Sequence, residues 1–326
     1  MRKIYCKSLA VMASVAFVVL LAACPQGGGT VINNYYVESG ATEEPMKFIP
    51  AGTYTILYNG IGTDTTKEAK VVLSSYYICD HEVTQAEWLE VFDVNPSFFQ
   101  GEDDAKKVAP GEVQLKRPVD QVSWYDAISY CNKRSIKEGL EPVYSVKVDD
   151  GAGNKIEIDW ANLAYADIPT TGDDDWNNVS CDFSKNGYRL PTEVEREVAA
   201  RGGLTGNVWA GCASESRLGN YAWGKENSDG KTHEVMKKLP NALGLYDMTG
   251  NVFEFSWDKF DSSAEYPSGV YDPTGPDTTY NERYCGGGGY DSTAYYNRIS
   301  HRANRLPPSM RYKSSGLRLV RSHLTK

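Results

Sequence analysis

Beyond Gly203 the chain carries almost no helical periodicity. From there to the C-terminus, short apolar pieces alternate with Gly, Asn and Pro, so an amphipathic helix has nowhere to run. That stretch must fold as short strands and loops, packed on elements encoded earlier. The earlier part holds three helix signals with the same grammar. Thr84 precedes "QAEWLEVF", in which Trp88, Leu89, Val91 and Phe92 suit one face of a short helix. Ser123 precedes "WYDAISYCNKRSIKEGL", with Ile128 and Cys131 inward and Gly139 as the stop. In "YRLPTEVEREVAARGG", Pro191 stops a strand and Thr192 caps a helix. Glu195 sits where a capping box needs it, and Gly202 ends the run.

Strand signals fill the gaps. Residues 46–60 alternate and are bounded by Pro and Gly, and residues 71–84 offer a second strand candidate. Between the second and third helices, "KVDDGAGNKIEI" reads as a hairpin followed by an acidic loop. No tandem repeat is present. The pattern predicts one α+β domain with few helices, short strands and much irregular structure over residues 46–322.

The N-terminus reads as an export signal. Arg2, Lys3 and Lys7 precede an apolar run over residues 9–21, which is short of the about 20 residues that a membrane span needs. "LAAC" then resembles a lipobox, so residues 1–24 are expected to end at a lipidated Cys24. Residues 25–45 follow as a flexible tether. Anchoring by several acyl chains would be stable where a single chain binds only marginally. A membrane-anchored lipoprotein follows, and a display role would place it on the outer membrane or cell surface.

Net charge is −9 and no basic run exists, which excludes nucleic-acid binding through a charged patch. Cys79, Cys131, Cys181, Cys212 and Cys285 remain after Cys24, an odd number whose pairing spacing cannot assign. The four histidines, His81, His233, His301 and His323, match no zinc spacing.

Six blocks occur in an order that resembles the formylglycine-generating enzyme, or sulfatase-modifying factor, domain. They are "MKFIPAGTYTI", "HEVTQAEWLEVF", "RPVDQVSWYDAISYC", "NGYRLPTEVEREVAARGG", "NALGLYDMTGNVFEF" and "GGGGY…RANR…SSGLRLVRS". The resemblance implies a variant of the C-type-lectin-like fold. It also implies a calcium site at Asp247, Gly250, Val252 and Glu254, where carboxylates and carbonyls on a tight turn suit a hard cation. A second, weaker calcium set would use Asn220 and Tyr221, with Asp229 as a guess for its third ligand. In "RLPTE", Arg189 and Glu193 are expected to pair inside.

Catalytic members of that family hold copper(I) with two cysteines five residues apart after a Gly-Gly-Ser-Tyr motif. Here those positions are Ser292 and Asn297, and the family serine is Gly289. Neither a hydroxyl nor an amide replaces a thiolate on copper(I). Cys285 has no local partner, and the added helical domain of the iron-using branch is missing. No copper and no catalysis are expected.

The replaced segment has its own character. Between residues 283 and 309 there is no Lys, Glu, Gln, Trp or Met. Replacing the adenines of an AAC or AAT codon yields Tyr, Asp, Ser, Thr, Asn, Ile and His, but never those five. Diversity-generating retroelements write such changes near the 3′ end of a gene, and their variable proteins use C-type-lectin-like folds. The chain resembles such a variable lipoprotein, with a variable region at about 284–312. Tyr with short polar residues is also the mixture that binding loops favour. Candidate ligand contacts are Tyr290, Asp291, Ser292, Thr293, Tyr295, Tyr296, Asn297, Ile299, Ser300, His301 and Asn304. "GGGG" and "GLRLV" would be scaffold, with Arg302 and Arg305 anchoring loops. The expected partner is a protein or glycan outside the cell. A fixed structural envelope lipoprotein and a divergent protein-modifying oxidase are the competing readings.

Overall fold

The computed structural model describes residues 45–59, 66–302 and 304–324. The signal, Cys24 and all but the last residue of the tether lie outside the described residues.

All three helix starts form as the sequence predicts. Thr84, Ser123 and Thr192 each close a capping box, with Glu87, Asp126 and Glu195 reaching back. Each cap stabilises its helix by about 1 kcal/mol. They begin α1 (Gln85–Phe92), α2 (Trp124–Lys137) and, after the short α3 (Asp174–Asn177), α4 (Glu193–Arg201). Gly202 ends α4 in the left-handed conformation, and a one-turn α5 (Glu215–Leu218) follows. In α1 the buried side chains are Gln85, Trp88 and Phe92, while Leu89 and Val91 are only partly covered. Gln85 is inside because its amide bonds the Phe99 and Pro118 carbonyls, a polar reason that periodicity does not see. Ile128 and Cys131 of α2 are fully buried, and Trp88 stacks on Tyr130 of α2.

Two four-stranded sheets carry the rest. In the first, Met46–Ile49 and Val320–Ser322 flank Tyr76–Cys79, and Tyr188–Arg189 lies beyond the C-terminal strand. In the second, Arg283–Gly286 pairs antiparallel with both Phe253–Lys259 and Arg305–Leu306. Ser315–Gly316 runs parallel to Phe253 and Glu254. A long hairpin of Gly52–Asn59 with Thr66–Leu73 and the small Lys147–Asp149/Lys155–Glu157 hairpin complete the larger pairings. Because Arg283–Gly286 and Arg305–Leu306 are neighbours, residues 287–304 leave and re-enter the sheet at adjacent points.

One sequence expectation is corrected. Arg189 does not pair with Glu193. Its guanidinium takes both oxygens of Glu195, at 2.6 and 2.7 Å, because Glu195 is already turned back onto the cap. Glu193 points the other way, to Arg302 and to the Tyr266 hydroxyl.

Candidate ligand-binding site

The excursion at 287–304 begins over a buried charge cluster. Arg196 of α4 donates to Glu254 at 2.7 Å and to the Met248 carbonyl at 2.8 Å. The glycines pass directly above it. A Cβ on Gly287 would lie 2.2 Å from Arg196 Nη2, and one on Gly288 would lie 1.9 Å from Asn297 Oδ1. Both have positive φ, so glycine is required twice over. At Gly289 the nearest atom, Ser314 Cβ, would be 3.3 Å away, so a side chain fits only if Ser314 shifts by a few tenths of an ångström.

Several predicted contacts turn out to be scaffold. Tyr290 is 1% exposed, its ring edge-on to Phe99 at 4.8 Å. Its amide donates to the Asn251 carbonyl and its own carbonyl accepts from Ser228 Oγ. Ile299 is in the core beside Val194 and Leu245, where its amide donates to the Val208 carbonyl. Ser292, Asn297 and His301 are buried as well. The turn after Gly289 explains this, since Ser292 Oγ accepts from the Gly289 amide at 3.1 Å. Asn297 then donates its amide back to the Ser292 carbonyl at 3.2 Å. Ser292 and Asn297, which the family resemblance aligns with the copper cysteines, are thus bridged by an amide hydrogen bond.

What reaches the surface is narrower. Tyr295 and Tyr296 are 38% and 48% exposed, and Asp291, Thr293, Ser300 and Asn304 are half-buried. Tyr295, Tyr296 and His301 stand mutually edge-to-face at 5.1–5.3 Å. The Arg298 guanidinium covers the Tyr295 ring at 4.7 Å. Burial, reinforced by Arg298, pushes the His301 ring down to about 4, so it is neutral at pH 7.

The loop is clamped by two residues that sequence reading did not single out, Trp209 and Lys225, and by Arg302, which it did. Trp209 Nε1 donates to the Ala294 carbonyl at 2.7 Å, and the Lys225 amide donates to the Ser292 carbonyl at 3.0 Å. At the exit, Arg302 pairs with Glu193 and the Cys285 amide donates to the Asn304 carbonyl. Arg305, by contrast, stays at the surface, paired with Glu282 and lying over the Phe260 ring at 4.8 Å. Nothing in the local sequence around Trp209 or Lys225 marks them, because their role is set by contacts distant in the chain.

Sixteen buried side-chain polar atoms have no hydrogen-bond partner among the described residues. Five belong to the loop: Tyr290 Oη, Asn297 Oδ1, Arg298 Nε, His301 Nε2 and Asn304 Nδ2. Native interiors leave few such atoms, and their concentration in one loop marks it off from the scaffold.

Among the donors expected for calcium, Asp247, Gly250, Val252 and Glu254, one carboxylate is already engaged. Both Glu254 oxygens are taken, Oε1 by Arg318 and Oε2 by Arg196. Burial pushes this carboxyl up, but the two guanidiniums hold it below its ordinary value. A dication there would compete with two fixed positive charges for Glu254, while Asp247 Oδ1 has no hydrogen-bond partner. The other Asp247 oxygen accepts the Met236 amide, and burial lifts its carboxyl to about 6. Of the second set, Asn220 and Tyr221 lie on the turn after α5. The Asn220 carbonyl accepts from the Leu239 amide, while Asp229 is exposed on a separate turn.

Comparison with known proteins agrees with this geometry. The family model described as "Sulfatase-modifying factor enzyme 1-like domain" matches residues 36–323. "Chaperone protein LppX" of Paenibacillus barcinonensis is 33% identical over 94% of this chain and 96% of its own length. Shorter matches reach the formylglycine-generating enzyme of Streptomyces coelicolor and the inactive C-alpha-formylglycine-generating enzyme 2 of Bos taurus. The first is 32% identical over 41% of this chain and 47% of that protein, the second 37% over 27% and 32%. Among solved structures, Treponema denticola variable protein 1 superposes with a TM-score of 0.76 at 40% identity. That match covers 85% of this chain and 95% of the other.

Proposed function

The chain belongs to the sulfatase-modifying factor enzyme 1-like domain family, and from that premise we propose that it is a non-catalytic display protein. In this reading, the loop at 287–304 binds a protein or glycan ligand outside the cell. Lipidation at Cys24 tethers the protein to the membrane, and a retroelement diversifies the loop's surface positions. The observation that carries the reading is a rigid clamp around an open aromatic tip. Tyr295 and Tyr296 are exposed at the end of a loop whose ends and turn are held by Arg302, Trp209 and the glycine run. Aromatic rings with few rotamers on a fixed frame give contact area at low entropic cost. Likeness to a protein titled as variable supports it.

Burial sharpens the list of contacts. Asp291, Thr293, Tyr295, Tyr296, Ser300 and Asn304, joined by Arg298, can meet a ligand without unpacking the fold. Tyr290, Ser292, Asn297, Ile299 and His301 support them from below. Copper chemistry is not part of the reading, since Ser292 and Asn297 offer neutral oxygen and nitrogen where soft thiolates are needed.

A second reading has a specific observation in its favour. The relative matched along nearly its whole length is titled a chaperone, and a chaperone binds through a surface that does not vary. Deep sequencing of codons 280–322 in descendants of one clone separates the two. Display predicts substitutions at adenine-bearing codons of the exposed positions, with a nearby template copy. An invariant segment without a template would leave a fixed partner-binding protein.

A further inference from the structure

The residues Cys79, Asp80 and His81 are consecutive, which no zinc-ligand spacing anticipates, and the end of the strand Tyr76–Cys79 explains how they meet. Past Cys79 the chain bends instead of continuing extended, so side chains that would alternate between faces turn to one side. Cys79 Sγ lies 3.9 Å from His81 Nδ1, which donates to Asp80 Oδ1 at 2.7 Å. The three ligand atoms fall within 4.8 Å of one another, and among the described residues this is the one group of three or more His, Cys, Asp and Glu side chains that do so.

The surroundings are those of a held ligand set. Arg318 donates to the Cys79 carbonyl at 2.9 Å, and the Tyr246 amide donates to the Asp80 carbonyl at 2.8 Å. The backbone of the bend is therefore fixed from two sides. The other imidazole nitrogen, Nε2, faces Glu87 Oε2 at 3.4 Å. Glu87 is itself locked by the Thr84 cap and by Arg134. Metal-bound histidines characteristically give their second N–H to a carboxylate, which orients the ring and raises its basicity.

We propose that Cys79 Sγ, the Asp80 carboxylate and His81 Nδ1 bind a borderline divalent cation of the zinc class, with Glu87 orienting the histidine. Thiolate, imidazole and carboxylate together suit zinc rather than calcium or magnesium, with bonds of about 2.0–2.3 Å. An ion that size fits between Cys79 Sγ and His81 Nδ1, 3.9 Å apart, and a small rotation of Asp80 opens its 2.7 Å hydrogen bond to His81 to the ~3.3 Å that two ligands of one tetrahedral ion need. On binding, the thiol proton and the Nδ1 proton leave to solvent. Lys47, whose ammonium is 3.3 Å from Asp80 Oδ2 and 41% exposed, swings out. The ion would then join the first sheet to the start of α1.

Cobalt(II) titration of the full mature chain under reducing conditions tests this, because a thiolate ligand produces an intense near-ultraviolet charge-transfer band. The band should saturate at one equivalent, vanish in Cys79→Ser and persist in Cys212→Ser. Glu87→Gln, which removes no ligand, should weaken cobalt affinity about 10-fold or more. A wild-type titration without the band would overturn the proposal, as would a band unchanged in Cys79→Ser. Should Cys79→Ser not fold, the wild-type spectrum and the Glu87→Gln affinity still decide it.

Discussion

Helix α4 and the loop at 287–304 are both largely buried and both rich in polar groups, yet they treat those groups in opposite ways. In α4 every residue is buried, and the charges are matched: Glu193 with Arg302, Glu195 with Arg189, Arg196 with Glu254, Glu197 with Arg201. None of its fully buried side-chain polar atoms is left without a partner, whereas the loop leaves five. A buried polar network specifies one arrangement when it is complete. An incomplete one specifies it less tightly, and three of the loop's five unpartnered atoms, on Tyr290, Asn297 and His301, belong to buried side chains that a ligand does not reach. Pairing is complete in α4, beneath the glycine run, and incomplete in the loop that α4 supports.

Breaking the paired side should cost most. Glu254→Ala strands the Arg196 and Arg318 guanidiniums in the interior, and should lower unfolding free energy by about 3–5 kcal/mol in urea titration. A loss under 1 kcal/mol would mean that the cluster is not the scaffold's keystone.

Within the loop, two tyrosines separate frame from surface. Tyr290→Ser should cost about 3 kcal/mol, since it empties a buried ring site against Phe99. Tyr296→Ser should change stability by no more than about 0.5 kcal/mol while removing ligand contact area. Both substitutions are reachable through adenine replacement, so equal stability losses would contradict the division made by burial.

A smaller effect should appear with pH. The folded His301 ring, lowered to about 4 by burial and then Arg298, stays neutral while the unfolded ring protonates near its ordinary 6.5. Its contribution is complete above pH 6.5 and drains away as the pH falls toward 4. Discounted for partial solvent around the ring, the loss by pH 5 is about 1 kcal/mol. His301→Asn should flatten that part of the stability profile, as read by thermal melts between pH 5 and 7.5.

Much of the frame was legible because its signals are local. Ser or Thr ahead of an apolar-periodic run marked the helix starts, with Glu195 completing the pattern after Thr192, and the "KVDDGAGNKIEI" hairpin followed from turn chemistry and alternation. The site was half legible. Composition located the loop, and the block order located the family, but both overcounted contacts, since nothing in "YDSTAYYNRISH" says that Tyr290 turns inward while Tyr295 and Tyr296 turn out. That choice depends on Phe99, Asn251 and Ser228, all far away in sequence. Arg189 and Glu193 were paired wrongly for a related reason, because the cap had already claimed Glu195 as the arginine's nearest acceptor.

By itself, the sequence determined where α1, α2 and α4 begin and that the C-terminal part would be mostly strands and loops. Those are properties of neighbouring residues, decided by backbone sterics, capping and chemical identity. Tertiary structure alone decided that two arginines occupy the Glu254 carboxylate, that Trp209 and Lys225 hold the loop, and that three consecutive side chains converge at His81. Each of those depends on which distant charges and donors arrive first at a buried group. A buried carboxylate or imidazole takes the partner that the fold brings to it, and the one-dimensional pattern does not record which that is.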